Sequence, residues 1–190
     1  MTTTFSPFKR RHRARGFALI ASLLIMVVMT IIVVTMFRSF GLQERIAGNV
    51  REKQKAFQAA QTAVAYAEWW LTQGSNASNI TACTGLLSAN SGQAVVCNAP
   101  LVDYTAVPWK VGASDVGVTY TPPNMNVASS GADSYASAPR FYIVSLGLSP
   151  DGQSQLYRIS AMAYGGNTNA VAVLQSTYAI STGVRNLGGL

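Results

Sequence analysis

The sequence predicts an α+β protein: a long N-terminal α-helix, transmembrane over its first half, whose second half packs on a small antiparallel β-sheet head. Three observations predict it. Residues Gly16 to Phe37 carry no charge, apolar residues recur every three or four positions from Leu42 to Leu71, and three Tyr-, Val- and Ile-rich runs separated by turn residues lie between Arg140 and Ile180. Neither a striped helix nor a one-sided sheet buries its apolar face alone, so each predicts the other.

The first element is the anchor, residues 17–37. The uncharged stretch holds 22 residues, Gly16 included, which as a helix reaches about 33 Å, enough to cross a bilayer. Five of the 14 basic residues stand just before it, between Lys9 and Arg15. Basic flanks stay cytoplasmic, so the N-terminus faces in and the C-terminal part faces out. A cleaved secretory signal fits less well, because its apolar core is shorter and ends in small residues, whereas this run ends in Thr35-Met36-Phe37-Arg38. The plain alternative is an ordinary signal anchor.

Residues 38–71 read as an amphipathic continuation of the same helix. Leu42, Ile46, Val50, Phe57, Ala60, Val64, Ala67 and Leu71 form the stripe, interrupted where Lys53 or Gln54 falls. Gly41 and Gly48 are weak points, each costing about 1 kcal/mol relative to alanine. A loop near Gly41 is the alternative to a continuous helix. Gly74-Ser75-Asn76 marks the stop.

Residues 72–138 are rich in Ser, Gly, Asn and Pro and read as an irregular, loop-rich region. Val116 to Thr121 is a short candidate strand within it, stopped by Pro122-Pro123. Residues 139–180 follow as an antiparallel meander, with strands at Arg140–Leu146, Gln155–Tyr164 and Ala170–Ile180. Ser149-Pro150-Asp151-Gly152 and Gly165-Gly166-Asn167 are the turns. Residues 181–190 form a tail.

Cys83 and Cys97 are the two cysteines, and both lie on the outer side of the anchor. An oxidising compartment makes them a disulfide. Closing a loop of about 15 residues is worth roughly 3 kcal/mol in chain-entropy terms. A metal site is disfavoured, since no histidine accompanies the two thiols.

Charge and chemistry exclude other classes. The formal net charge is +7, but after Leu71 four basic residues balance four acidic ones. Nucleic acid requires clustered cations, and no such patch exists there. The one histidine, His12, precedes the anchor, so the outer part lacks the usual general base and any Ser-His-Asp arrangement. Asp115, Asp133 and Asp151 are spaced too widely for a calcium loop, although a site assembled from distant loops stays open as an alternative. The sequence therefore predicts no enzyme, no catalytic residue and no cofactor. Trp69 and Trp70 read as core and interface aromatics, and Glu44 and Arg45 as a solvated or intersubunit face.

The basic stretch ending in Gly16, followed by Phe17-Ala18-Leu19-Ile20, resembles a prepilin leader, residues 1–16. The resemblance implies cleavage between Gly16 and Phe17 by prepilin peptidase and N-methylation of Phe17. Two further blocks resemble PilX-type minor pilins. The first carries Leu42-Gln43-Glu44-Arg45, Ala47-Gly48-Asn49, Ala56-Phe57-Gln58-Ala59-Ala60 and Ala63 through Trp69; the second carries Pro139 to Ile143, Tyr157 to Ala161 and Val173 to Tyr178. Together they cover about half of the chain.

That resemblance implies a type IV pilin-like fold and a minor pilin of the type IV pilus. Such a subunit waits in the inner membrane as a single-pass protein with a periplasmic head, then joins the extracellular pilus. Its partners are other minor pilins, the major pilin and a tip adhesin. Its roles are priming of pilus assembly, twitching motility and adhesion. One position departs from the family pattern: the fifth residue after the cleavage point is Ala21, where most pilins have Glu. A subunit without this Glu suits the filament tip. A tip pseudopilin of type II secretion, and a membrane-anchored adhesin or ligand-binding module, are the alternatives.

Overall fold

The computed structural model describes residues 15–128, 131 and 133–181 of the chain. Most of the expected leader (1–14) and most of the expected tail (182–190) lie outside the described residues. The order of elements is α1 (Arg15–Leu71), then the short strands β1 (Ile80–Thr81), β2 (Leu86–Ser88), β3 (Val96–Cys97), β4 (Lys110–Val111), β5 (Ser114–Asp115) and β6 (Gly117–Thr119), then the long strands β7 (Arg140–Leu148), β8 (Ser154–Tyr164) and β9 (Val171–Ser181). The chain forms two compact units, Met1–Ala47 and Gly48–Leu190.

In the first unit the described residues are all helix. The hydroxyls of Ser22, Thr30 and Thr35 donate to the carbonyls of Leu19, Val27 and Ile32 at 2.8–2.9 Å. Each polar side chain is thereby satisfied within its own helix, as an apolar surrounding requires. No loop interrupts the helix at Gly41.

The helix ends at Leu71, where the sequence places its stop. The carbonyls left over by the last turn find partners: Trp69 O accepts from Thr72 N, and Trp70 O accepts from Gln73 N and from Asn76 Nδ2. Gly74 takes φ +52° and turns the chain away.

The second unit is built on the meander. β8 pairs antiparallel with β7 on one edge and, over eleven unbroken pairs, with β9 on the other. Along β7's free edge the N-terminal half takes β6 antiparallel, through Val118↔Phe141, and the C-terminal half takes β3 parallel, through Cys97↔Val144. β2 joins β6 and β1 joins β3, both parallel. The sheet is therefore mixed, not the antiparallel sheet expected. The long meander is antiparallel because tight turns join its strands. The added pairs are parallel because the intervening chain is long enough to cross back before pairing.

Both faces of this sheet are covered over most of β7 and β8. On one, Phe141, Ile143, Tyr157, Ile159 and Ala161 meet Ala63, Ala67, Trp70 and Leu71 of α1. On the other, Tyr142, Val144 and Met162 pack with Cys83, Cys97, Leu101, Trp109 and Val116. The region 72–138, expected to be irregular, thus supplies six short strands and a cover for the second face around Tyr142, Val144 and Met162, leaving Gln175, Thr177 and Ala179 of β9 exposed.

The helix face that is buried also differs from the expected stripe. Ala60, Ala67 and Leu71 are buried as the periodicity predicts, but Leu42, Ile46, Val50 and Phe57 are exposed. The face is completed instead by Ala56, Ala59 and Ala63. Small residues win because helix and sheet approach closely at one end. A Cβ on Gly165, in the β8–β9 turn, would stand 2.5 Å from the carbonyl oxygen of Glu52.

Gly165→Ala should therefore lower stability by about 3 kcal/mol, the upper range for forcing extra volume into a packed site. Gly152→Ala, whose Cβ meets nothing within 4 Å but whose φ is +70°, should cost only about 1 kcal/mol. Urea unfolding of the detergent-solubilised full chain, followed by tryptophan fluorescence, checks the order.

Candidate functional site

Two features stand out on the chain: the exposed apolar surface of the helix and the polar contacts that fasten the sheet to the helix from Gly48 onward. From Gly16 to Phe37 the helix is long and apolar enough to cross a membrane, and none of that stretch is buried. Phe17 is 77% exposed in the first turns of α1, and a Cβ on Gly16 would meet nothing within 4 Å. Ala21 is half-buried and offers no charge to a neighbour. The structure places these three residues within two turns of one another and brings no other element to them among the described residues.

The head is fastened by side chains that the apolar periodicity treats as interruptions. The Glu52 carboxylate accepts from the backbone N–H of Gly166. Lys53 Nζ donates to the Val171 carbonyl at 2.8 Å. Lys55 Nζ donates to the Ser134 carbonyl at 3.1 Å, lies 3.6 Å from Glu52 and sits over the Tyr135 ring. Ala136 N donates in turn to Gly165 O. The β8–β9 turn and the segment 134–136 are so bound to one turn of helix. Higher up, Glu68 Oε1 accepts from Ser176 Oγ at 2.8 Å. Sequence reasoning missed this cluster. The available signal was the break in the stripe at Lys53, together with the adjacent glycines Gly165 and Gly166.

The second face of the sheet depends on the disulfide. Cys83 and Cys97 are bonded, with Cα atoms 5.4 Å apart and both side chains buried. Strands of two residues are too short to hold alone, and the bond ties the chain just after β1 to β3. Around it, Tyr142 Oη donates to Ala99 O at 2.8 Å and Trp109 Nε1 donates to Tyr104 O at 2.9 Å. Arg158 reaches the Tyr104 hydroxyl at 2.9 Å, and Arg140 pairs with Asp115 at 3.1 Å. Burial pushes the Tyr142 phenol above its ordinary pKa, with nearby Tyr104 adding to the effect. Burial does the same to Tyr157, and to Tyr66 with a contribution from Tyr120.

The acidic residues of the loops make local turns. Asp103 accepts from the hydroxyl and the N–H of Thr105, which holds its carboxyl below the usual range. Asp151 is lowered by the Ser149 hydroxyl and the Gln153 N–H within the β7–β8 turn. Among the described residues no three His, Cys, Asp or Glu side chains converge as metal ligands would. Trp70 is buried, whereas Trp69 remains 55% exposed beside Tyr66, which stacks on Tyr120 with centroids 4.0 Å apart.

Comparison with protein families gives two matches. The PilX N-terminal family matches residues 15–65, and the family described as type IV pilus assembly protein PilX C-term matches residues 54–180. No curated protein and no solved structure matches the chain.

Two outcomes follow for the head. Reduction of Cys83–Cys97, or the double substitution Cys83→Ser with Cys97→Ser, should cost about 3 kcal/mol, read as a lower urea midpoint with reductant than without. Alkaline pH acts through the tyrosines. Their folded pKa values are raised, so their contribution is fully present below about pH 10 and is lost as pH rises through the folded values. The unfolding midpoint should hold between pH 7 and 9 and fall above pH 10. Tyr142→Phe should make that fall shallower while costing about 1 kcal/mol at neutral pH, through the lost bond to Ala99.

Proposed function

The chain belongs to the PilX family of type IV pilus assembly proteins, and we propose that it is a minor pilin that helps to prime pilus assembly and takes its place at the filament tip. The observation that carries this reading is the unburied apolar helix joined to a head whose own core is complete. An apolar surface of that length is satisfied only by lipid or by other apolar helices. The chain therefore exchanges membrane for filament, and its work is packing and not catalysis.

The remaining assignments belong to the same proposal. Residues 1–16 are the leader, cut between Gly16 and Phe17, and Phe17 is then N-methylated. Residues 17–37 span the inner membrane, residues 38–71 carry the helix to the head, and the head lies in the periplasm before assembly. Basic residues ahead of the span support that orientation. Ala21 supports the tip position, since an alanine there does not neutralise the amine of an earlier subunit. Other minor pilins, the major pilin and a tip adhesin are the proposed partners, and twitching motility and adhesion the processes served.

Intact mass and N-terminal sequencing of the chain, from sheared surface filaments and from inner membranes, test the reading. The expected result is a chain that begins at N-methylated Phe17 and is present in filaments in trace amount. A full-length chain confined to membranes, in cells with active prepilin peptidase, would favour an anchored binding module instead.

A further inference from the structure

The strand β9 is the outer edge of the sheet. It pairs with β8 alone, and among the described residues no backbone group of 172–181 bonds to any other segment. Its eleven residues, Val-Ala-Val-Leu-Gln-Ser-Thr-Tyr-Ala-Ile-Ser, include no charge, proline or glycine, and its pairing is free of bulges. Soluble proteins blunt their edges with lysine, proline, bulges or a covering element, because an open edge templates another strand. Among the described residues none of these devices is present on β9. The opposite edge of the sheet is made only of two- and three-residue strands.

A second observation lies on α1. Lys53, Phe57, Val64 and Glu68 fall on one ridge of the helix by their spacing. Both ends of this ridge are bonded to β9, Lys53 to the Val171 carbonyl and Glu68 to the Ser176 hydroxyl. Phe57, between them, is nevertheless 45% exposed, and Val64 is only partly buried. A large ring thus stands uncovered beside the open edge of the sheet.

We propose that the edge of β9 is a docking site for an extended strand of a different pilus component. The backbone row of β9 supplies the hydrogen bonds. The Phe57–Val64 ridge takes the apolar side chains at every second position of the incoming strand. The occupant is uncharged over about six to ten residues, because β9 carries no charge along its length and the charged groups beside it, Lys53 and Glu68, are already bonded to it. A second copy of this chain does not fit. Filament neighbours related by a screw operation meet through different surfaces, so one β9 does not face another, and the short strands of the opposite edge cannot match eleven residues. The inference rests on the reading that the chain assembles with other pilus components.

The test places the photocrosslinker p-benzoylphenylalanine in the full chain, in cells, at the exposed β9 positions Gln175, Thr177 or Ala179, or at exposed Val102 as control. The expected result is an adduct with one other pilus component, whose crosslinked residues advance along a single segment in steps of two. Phe57→Ser should reduce adduct yield about tenfold, the loss expected from one uncovered aromatic ring. The control should give no such adduct. A chain recovered in sheared filaments without ordered β9 adducts, or crosslinked there to its own copy, overturns strand docking and leaves the proposed function standing. A chain absent from filaments and from any adduct with a pilus component overturns both.

Discussion

The head depends on how closely α1 lies against β8. At Gly165 the helix backbone leaves no room for a methyl group. Going up the helix-facing side of β8, the residues enlarge in order: Ala163, Ala161, Ile159, Tyr157. The helix answers with Ala59 and Ala60 opposite Ala163, then Ala63 and Ala67, then Trp70 and Leu71. A graded series of this kind opens the gap between helix and strand from one end to the other. Close packing rejects both voids and overlaps, so the series fixes the register as well as the tilt. The polar fastening by Glu52 and Lys53 is possible only at the narrow end, where helix side chains reach the backbone of the β8–β9 turn.

This narrow approach leaves half of the problem unsolved, because an antiparallel sheet has two faces. β7 reads Phe-Tyr-Ile-Val, and all four are buried, Phe141 and Ile143 against the helix, Tyr142 and Val144 on the far side. The far cover comes from a segment too poor in long strands to fold by pairing alone. Its order comes from Trp109, fully packed with its indole N–H satisfied, and from a disulfide that closes the loop carrying β1 to β3. In a head of this size the covalent tie substitutes for core area that the chain does not have.

The long elements were legible because their signals are local. The helix, its stop before Gly74 and the three long strands with their turns all reappear, the helix end and the strand bounds to within two residues. The burial of the helix was less legible. Periodicity ranks large apolar residues first, and it therefore chose Leu42, Ile46, Val50 and Phe57, which are exposed, over Ala56, Ala59 and Ala63, which are buried. Contact distance, a tertiary property, made alanine the core residue. The parallel pairs β1–β3, β3–β7 and β2–β6 left no trace either, since strands of two or three residues carry too little pattern. Yet four consecutive buried residues in β7 did carry a sign of the second cover. A strand with one wet face alternates, and this one does not.

The distribution of burial separates stability from association. From Gly48 onward the helix gives its alanine face to the sheet, and folding of the head consumes that surface. Before Gly48 the helix buries none of its large apolar side chains within the chain, so their transfer from lipid or water remains available to whatever the subunit joins. The residues at issue are also of different kinds. Alanines allow close approach and add little apolar area, whereas Leu42, Ile46 and Val50 each carry about 1.5–3 kcal/mol of burial. A helix that spent its large side chains on its own head would have less to offer a partner. Apart from Trp70 and Leu71 at its end, the helix gives its small side chains to the head, and it keeps Phe57 uncovered beside β9, whose outer edge is free among the described residues.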